Sequence, residues 1–142
     1  MDTKALTRPT VQRKRRISLA AAPAAPSAAR SSVRAAINAW DVPVEVSVAE
    51  LLASELMTNA IRHEEGETVT LVITSAGGQL RVEVHDTSRA MPVPVDGPAD
   101  AETGRGLMLV ASLSNEWGFY RTPTGKAVYF MLTCQADRDE GG

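Results

Sequence analysis

A chain of 142 residues with 44% hydrophobic and 23% charged side chains can build one hydrophobic core and is too short for two ordinary domains. One cysteine excludes an intrachain disulfide scaffold, and no apolar run approaches the ~18 to 20 residues of a membrane span, so a reducing, cytoplasmic setting without a membrane partner is expected. The net charge of -2 hides an uneven distribution, with residues 1 to 16 carrying +5 and the remainder -7.

That basic start, with Lys4, Arg8, Arg13, Lys14, Arg15 and Arg16 against Asp2, reads as a disordered, solvated leader over residues 1–16. A nucleic-acid-binding arm is the alternative, but the acidic body repels DNA, so no direct nucleic acid partner is expected. Ile17 to Ala20 suits a short strand, and the Ala/Pro/Ser stretch from Ala21 to Ser27 suits a linker. A helix is predicted from about Ser27, where Ala29, Val33, Ala36, Ile37 and Trp40 recur on one face, and a second one from Val44 to His63.

The period then changes. Val69, Leu71 and Ile73, then Leu80, Val82 and Val84, alternate with polar neighbours on either side of Ala76-Gly77-Gly78-Gln79, which predicts a β-hairpin with one face on a core. Met91 to Glu102, rich in proline and acids, predicts a loop over a site. Gly104-Arg105-Gly106 opens a further helical pattern, Leu107 to Leu113, and a last hairpin joins Trp117–Arg121 to Lys126–Thr133. Cys134, ending that apolar run, reads as a small buried hydrophobe, and residues 135–142 as a disordered tail. Helices followed by two antiparallel hairpins with a helix between them make an α+β, two-layer sandwich, with helices on one face of a largely antiparallel sheet across residues 17–134.

Two polar residues break the pattern of the second helix. At about 100° per residue, with Val48 at zero, Leu52 falls near 40°, Leu56 near 80° and Leu51 near -60°, while Glu55 falls near -20° and Asn59 near 20°. Both are therefore expected to face inward among leucines. An unpartnered buried carboxylate costs several kcal/mol and an unsatisfied amide roughly 1 to 3, so the pair calls for a ligand unless neighbouring backbone or an internal arginine satisfies it. The neutral oxygen of Asn59 suits a hard cation that keeps waters and phosphate oxygens, and Glu55 suits proton transfer from a hydroxyl or water. Arg62 and His63 either complement the helix dipole or contact a nucleotide. Glycines ahead of the helix at Leu107 let backbone amides approach a phosphate, and an ordinary turn is the rival reading. Asp86 either terminates its strand in an Asx-turn or accepts a hydrogen bond from a base amino group.

In order, Ser54-Glu55-Leu56-Met57-Thr58-Asn59-Ala60-Ile61-Arg62-His63, Val84-His85-Asp86-Thr87-Ser88 and Thr103-Gly104-Arg105-Gly106-Leu107 closely resemble the N, G1 and G2 boxes of the GHKL (Bergerat-fold) ATPases. Within that superfamily the likeness is to the small anti-sigma-factor serine-protein kinases of actinobacterial type, from about Ile17 to Thr133. The resemblance implies a four- or five-stranded mixed sheet backed by helices, with ATP and Mg²⁺ held between the layers beneath a lid. It makes Glu55 the general base, Asn59 the Mg²⁺ ligand and Asp86 the adenine-recognition residue. Gly104, Arg105, Gly106 and Leu107 take the phosphate side, and Lys126 a position near the terminal phosphate. One departure stands out: the family's Asp-x-Gly-x-Gly is here Asp86-Thr87-Ser88-Arg89-Ala90, without glycine, so this loop meets a nucleotide differently.

The function implied is a regulatory serine/threonine kinase that phosphorylates a STAS-domain anti-anti-sigma factor and otherwise sequesters a sigma factor; relatives of this kind are often homodimers. Against it stands a non-catalytic partner-switch module that uses ATP only to set its shape, a reading favoured by the altered G1 loop. A histidine kinase fragment fits less well, because neither His63 nor His85 is placed as a phosphoacceptor on a dimerisation helix pair. A metal hydrolase lacks ligand spacing.

Overall fold

The computed structural model describes residues 11–63, 66–88 and 101–135, with side chains throughout except at His63 and residues 101–105. The expectations for residues 1–10, for Arg89 and Ala90, for the loop from Met91 as far as residue 100 and for the tail from 136 lie outside the described residues. In chain order the elements are β1 (Arg13–Ala20), α1 (Ala25–Trp40), α2 (Val46–His63), β2 (Thr68–Ala76), β3 (Gln79–Asp86), α3 (Ala101–Leu113), β4 (Glu116–Thr122) and β5 (Gly125–Thr133). The strands form one five-stranded sheet in the order β1-β2-β3-β5-β4, and each neighbouring pair is antiparallel, where a mixed sheet was expected.

Alternation decides which face is covered. Val69, Leu71 and Ile73 of β2, Leu80, Val82 and Val84 of β3, and Val128, Phe130 and Leu132 of β5 are all buried beneath the helices. The β2–β3 turn is Gly77-Gly78, with φ of 59° and 77°, a left-handed path that glycine follows without steric cost and that matches the strand twist. From α1, Ala25, Ala29, Val33, Ala36 and Ile37 are buried, as the periodicity predicts. The helix starts two residues earlier than expected because Pro26 fits its first turn, where no amide hydrogen is needed. It ends on Asp41, left-handed at φ 53°, whose N–H caps the Ile37 carbonyl.

Two expectations need correction. The first strand begins at Arg13, not Ile17, and so takes in Arg13 to Arg16 of the supposed leader: they pair with Ser75 to Val72 of β2. As an edge strand β1 needs only one neighbour, and Arg15, on the helix side, lays its guanidinium 5.3 Å from the centre of the Trp40 ring. The second correction concerns α2. Its buried residues are Ala49, Leu52, Ala53, Leu56, Met57 and Ala60, whereas Leu51 is 38% exposed. The core stripe is thus centred roughly 100° from Val48, on the alanine side, where small side chains let α1 and the sheet come close. Glu55 and Asn59 lie on its flank rather than at its middle, and α3, through buried Leu107 and Val110, packs on α2.

The opposite face of the sheet carries a polar network. The Glu83 carboxylate accepts hydrogen bonds from Arg81 Nε and, at 2.8 Å, from Tyr120 Oη, and lies 2.8 Å from His85 Nε2. Arg81 in turn stacks 3.8 Å above the Tyr129 ring. Burial pushes the Glu83 carboxyl up, but the hydrogen bonds from His85, Tyr120 and Arg81 together outweigh it and bring it from 4.5 down to about 2. A depressed carboxyl contributes stability that is complete above pH 4.5 and is lost as pH falls towards 2. Acid unfolding should therefore show a slope in that window that Glu83→Gln flattens, measured by thermal melts across a pH series; an unchanged slope contradicts the network's role.

Candidate functional site

The N-box residues lie on the last turns of α2. Asn59 is 5% exposed, and its Oδ1 is buried without a hydrogen-bond partner among the described residues. A carboxamide oxygen in that condition is costly unless a ligand meets it. Glu55, one turn earlier, is half-buried. It faces α3 so closely that a Cβ placed on Gly106 would stand 2.7 Å from Glu55 Oε1. The absent side chain of Gly106 is what gives the carboxylate its room.

This changes the meaning of the glycine motif. It was expected ahead of a helix, but Ala101 and Glu102 are good helix formers, α3 starts there, and Gly104, Arg105 and Gly106 are inside it. Gly106 therefore serves close packing against Glu55, and the free amides of the first turn belong to residues 101 to 104. Leu107 is a core residue at 1% exposure. Arg62 is exposed on α2; the side chains of His63, Gly104's neighbour Arg105 and Thr103 are among those not described.

At the far end of β3, Asp86 continues the inward row of Leu80, Val82 and Val84, and opposite it in register Lys126 continues that of Val128 and Phe130. Both are charged residues at core positions. Lys126 Nζ donates to Asp86 Oδ1 and Oδ2, each at 3.0 Å, and the side chains are 1% and 0% exposed. Oδ1 also accepts the Ser88 N–H at 2.8 Å, so the Asx-turn expected as one alternative is present. The resemblance gives Lys126 a position near the terminal phosphate; in the structure its ammonium rests on Asp86, the residue the resemblance gives to the base. The buried carboxylate is the strongest available partner for its charge.

Sequence reading missed Gly125. A Cβ there would fall on the Asp86 carbonyl oxygen and lie 2.5 Å from Thr87 Cα, so the strand bearing Lys126 reaches Asp86 only because position 125 has no side chain. A glycine directly after the Pro123-Thr124 turn was the available signal, but the contact partner is distant in sequence. Cys134 is half-buried against the core, and burial pushes its thiol up, which disfavours the thiolate. No group of three or more His, Cys, Asp or Glu side chains is arranged around a metal position among the described residues. No helix among them is long and apolar enough to cross a membrane.

Polar groups gathered in the layer between helices and an antiparallel sheet are the arrangement of the GHKL-type ATP-binding sandwich. Sequence comparison agrees, and the chain belongs to the histidine kinase-like ATPase domain family, whose model matches residues 19–132. It is similar to blue-light-activated histidine kinase 2 of Erythrobacter litoralis (strain HTCC2594), at 35% identity over 96 residues, which is 62% of this chain and 28% of that protein. Among solved structures it resembles the histidine kinase domain of the Erythrobacter litoralis EL346 blue-light activated histidine kinase, with a TM-score of 0.50 and 29% identity over 76% of this chain and 60% of that one. The chain spans little more than a quarter of the length of that curated relative.

Magnesium fits the donor set by one direct criterion, the buried Asn59 Oδ1, which has no partner among the described residues. A neutral oxygen offers one ligand position to a cation that takes its remaining ligands from water and phosphate.

Proposed function

We propose that the chain is the ATP-binding kinase module of a regulatory switch, transferring the γ-phosphate to a serine or threonine of a STAS-type anti-anti-sigma partner and otherwise sequestering a sigma factor. The observation that carries the nucleotide part of this reading is the orphaned amide oxygen of Asn59, with the Glu55 carboxylate against Gly106 one turn away. Family membership supports the same chemistry. The serine/threonine acceptor and the sigma-factor partner rest on the likeness of the three sequence boxes.

Each residue then has a defined task. Asn59 holds the cation, which when bound neutralises charge on the triphosphate. Glu55 orients the acceptor hydroxyl and takes its proton as the hydroxyl oxygen bonds to the γ-phosphorus and the bond to the bridging oxygen breaks. Gly106 keeps the space in which that carboxylate stands. Asp86 accepts from the base amino group.

A second reading is favoured by the two relatives, both histidine kinases: the acceptor is a histidine of a partner segment. Incubation with γ-labelled ATP and either a STAS protein or a dimerisation segment bearing histidine separates the two, since phosphoserine survives acid and phosphohistidine does not. Label on neither acceptor leaves the non-catalytic binding module. Independently of acceptor, calorimetry should find magnesium-dependent ADP binding that Asn59→Ala weakens about tenfold or more, the loss of one charge-assisted contact. Equal affinity with and without magnesium in the parent protein overturns the role of Asn59.

A further inference from the structure

We propose that Lys126 reads the purine base jointly with Asp86, and that the donor–acceptor pair they form lets the site take guanine nucleotides alongside adenine ones. This rests on the nucleotide-binding reading above and adds the substrate class of the base pocket.

A buried ion pair is a poor device for stability, because apolar residues of similar volume often serve as well or better. Asp86 and Lys126 face each other in register on the helix side of the sheet, at positions that continue two apolar rows. Among the described residues their hydrogen-bond capacity is not used up. A carboxylate offers about four acceptor sites; Oδ1 takes the Ser88 N–H and Nζ, and Oδ2 takes Nζ alone. An ammonium has three N–H groups, and among the described residues two of them are committed, both to Asp86. Among the described residues one acceptor site on Oδ2 and one donor on Nζ therefore remain.

Adenine presents an amino donor at C6 beside the acceptor N1, and guanine a carbonyl acceptor at C6 beside the donor N1–H. A lone carboxylate accepts from the adenine amino group and repels the guanine carbonyl. Sites built on one such hydrogen bond reject the mismatched partner by as much as roughly 10⁴ to 10⁵. With the ammonium next to it, the carboxylate accepts from guanine N1–H while Lys126 donates to the C6 carbonyl. With adenine the roles exchange: Asp86 accepts from the amino group and Lys126 donates to N1. The pair thus has an answer to either edge, and its net charge is neutral in both.

The test is calorimetric titration of the intact protein with ADP, GDP and IDP in magnesium. GDP and IDP, which share the C6 carbonyl and N1–H, are expected to bind alike and within about tenfold of ADP. Lys126→Met and Lys126→Thr, checked for folding by thermal melt, are expected to widen the preference for ADP over GDP by about 30-fold or more. A preference for ADP above about 100-fold in the parent protein overturns the proposal, and that comparison needs no variant. So does an ADP to GDP ratio that both folded variants leave unchanged. Failure of all three nucleotides to bind removes the nucleotide-binding reading itself, whereas tight ADP binding with guanine excluded removes this inference alone.

Discussion

Glu55→Gln is expected to lower phosphotransfer by about 10² to 10⁴ while leaving ADP affinity nearly unchanged, because a general base acts on the acceptor proton and not on the bound nucleotide. The amide keeps the shape of the carboxylate and loses its basicity. Single-turnover transfer of label at saturating ATP, beside calorimetry of ADP, makes the separation. Gly106→Ala offers a companion test. Its methyl would stand 2.7 Å from Glu55 Oε1, and since that oxygen is the end of a flexible side chain, the carboxylate swings away at little cost to the fold. A slow rate with a normal melting temperature is the expected pair of results for Gly106→Ala. Full activity in Glu55→Gln shows that proton removal is done elsewhere.

Gly125→Ala is expected to cost about 3 kcal/mol, at the upper end of overpacking effects, and to lower the melting temperature by the order of 10 °C. The added methyl collides with backbone, the Asp86 carbonyl and Thr87 Cα, so no rotamer relieves it. Either the β4–β5 hairpin or the end of β3 must move, and Asp86 and Lys126 move with it. Nucleotide affinity should therefore fall together with stability. Gly118→Ala is the control: its methyl would meet the Tyr129 hydroxyl at 2.7 Å, a side-chain end that can yield, so a smaller loss is expected. Equal melting temperatures for Gly125→Ala and the parent protein contradict the close approach.

The sequence was most readable where one physical cause sets the pattern. A half-buried strand alternates, so β2 and β3 and the Gly77-Gly78 turn stood out. The inward polar residues of α2 were detected for a partly mistaken reason. Ala49, Ala53 and Ala60 carry the core, yet leucines dominate any reading weighted by bulk, and this displaced the stripe towards Glu55 and Asn59. Asn59 is buried all the same, where α3 packs on α2, a tertiary fact with no local trace. Arg13 to Arg16 resembled a solvated tail because charge masks strand propensity, and only pairing with β2 orders them. Gly104 and Gly106 disguised the start of α3, since glycine in a helix is locally unfavourable and is justified at Gly106 by its distant neighbour Glu55. The Asp86–Lys126 pair joins residues 40 apart, and no spacing rule announces it.

The cations of β1 also bear on how copies of the chain can meet. A sheet edge is a template for another strand, and among the described residues β1 and β4 are the two edges. Two molecules approaching along β1 would each bring Arg13, Lys14, Arg15 and Arg16 to the shared edge, and like-charge repulsion guards that border. The β4 border, with Phe119 and Tyr120 each 40% exposed and Arg121 as its one cation, has no such barrier. Edge-to-edge self-association, wherever it arises, is thereby steered to one side of the molecule.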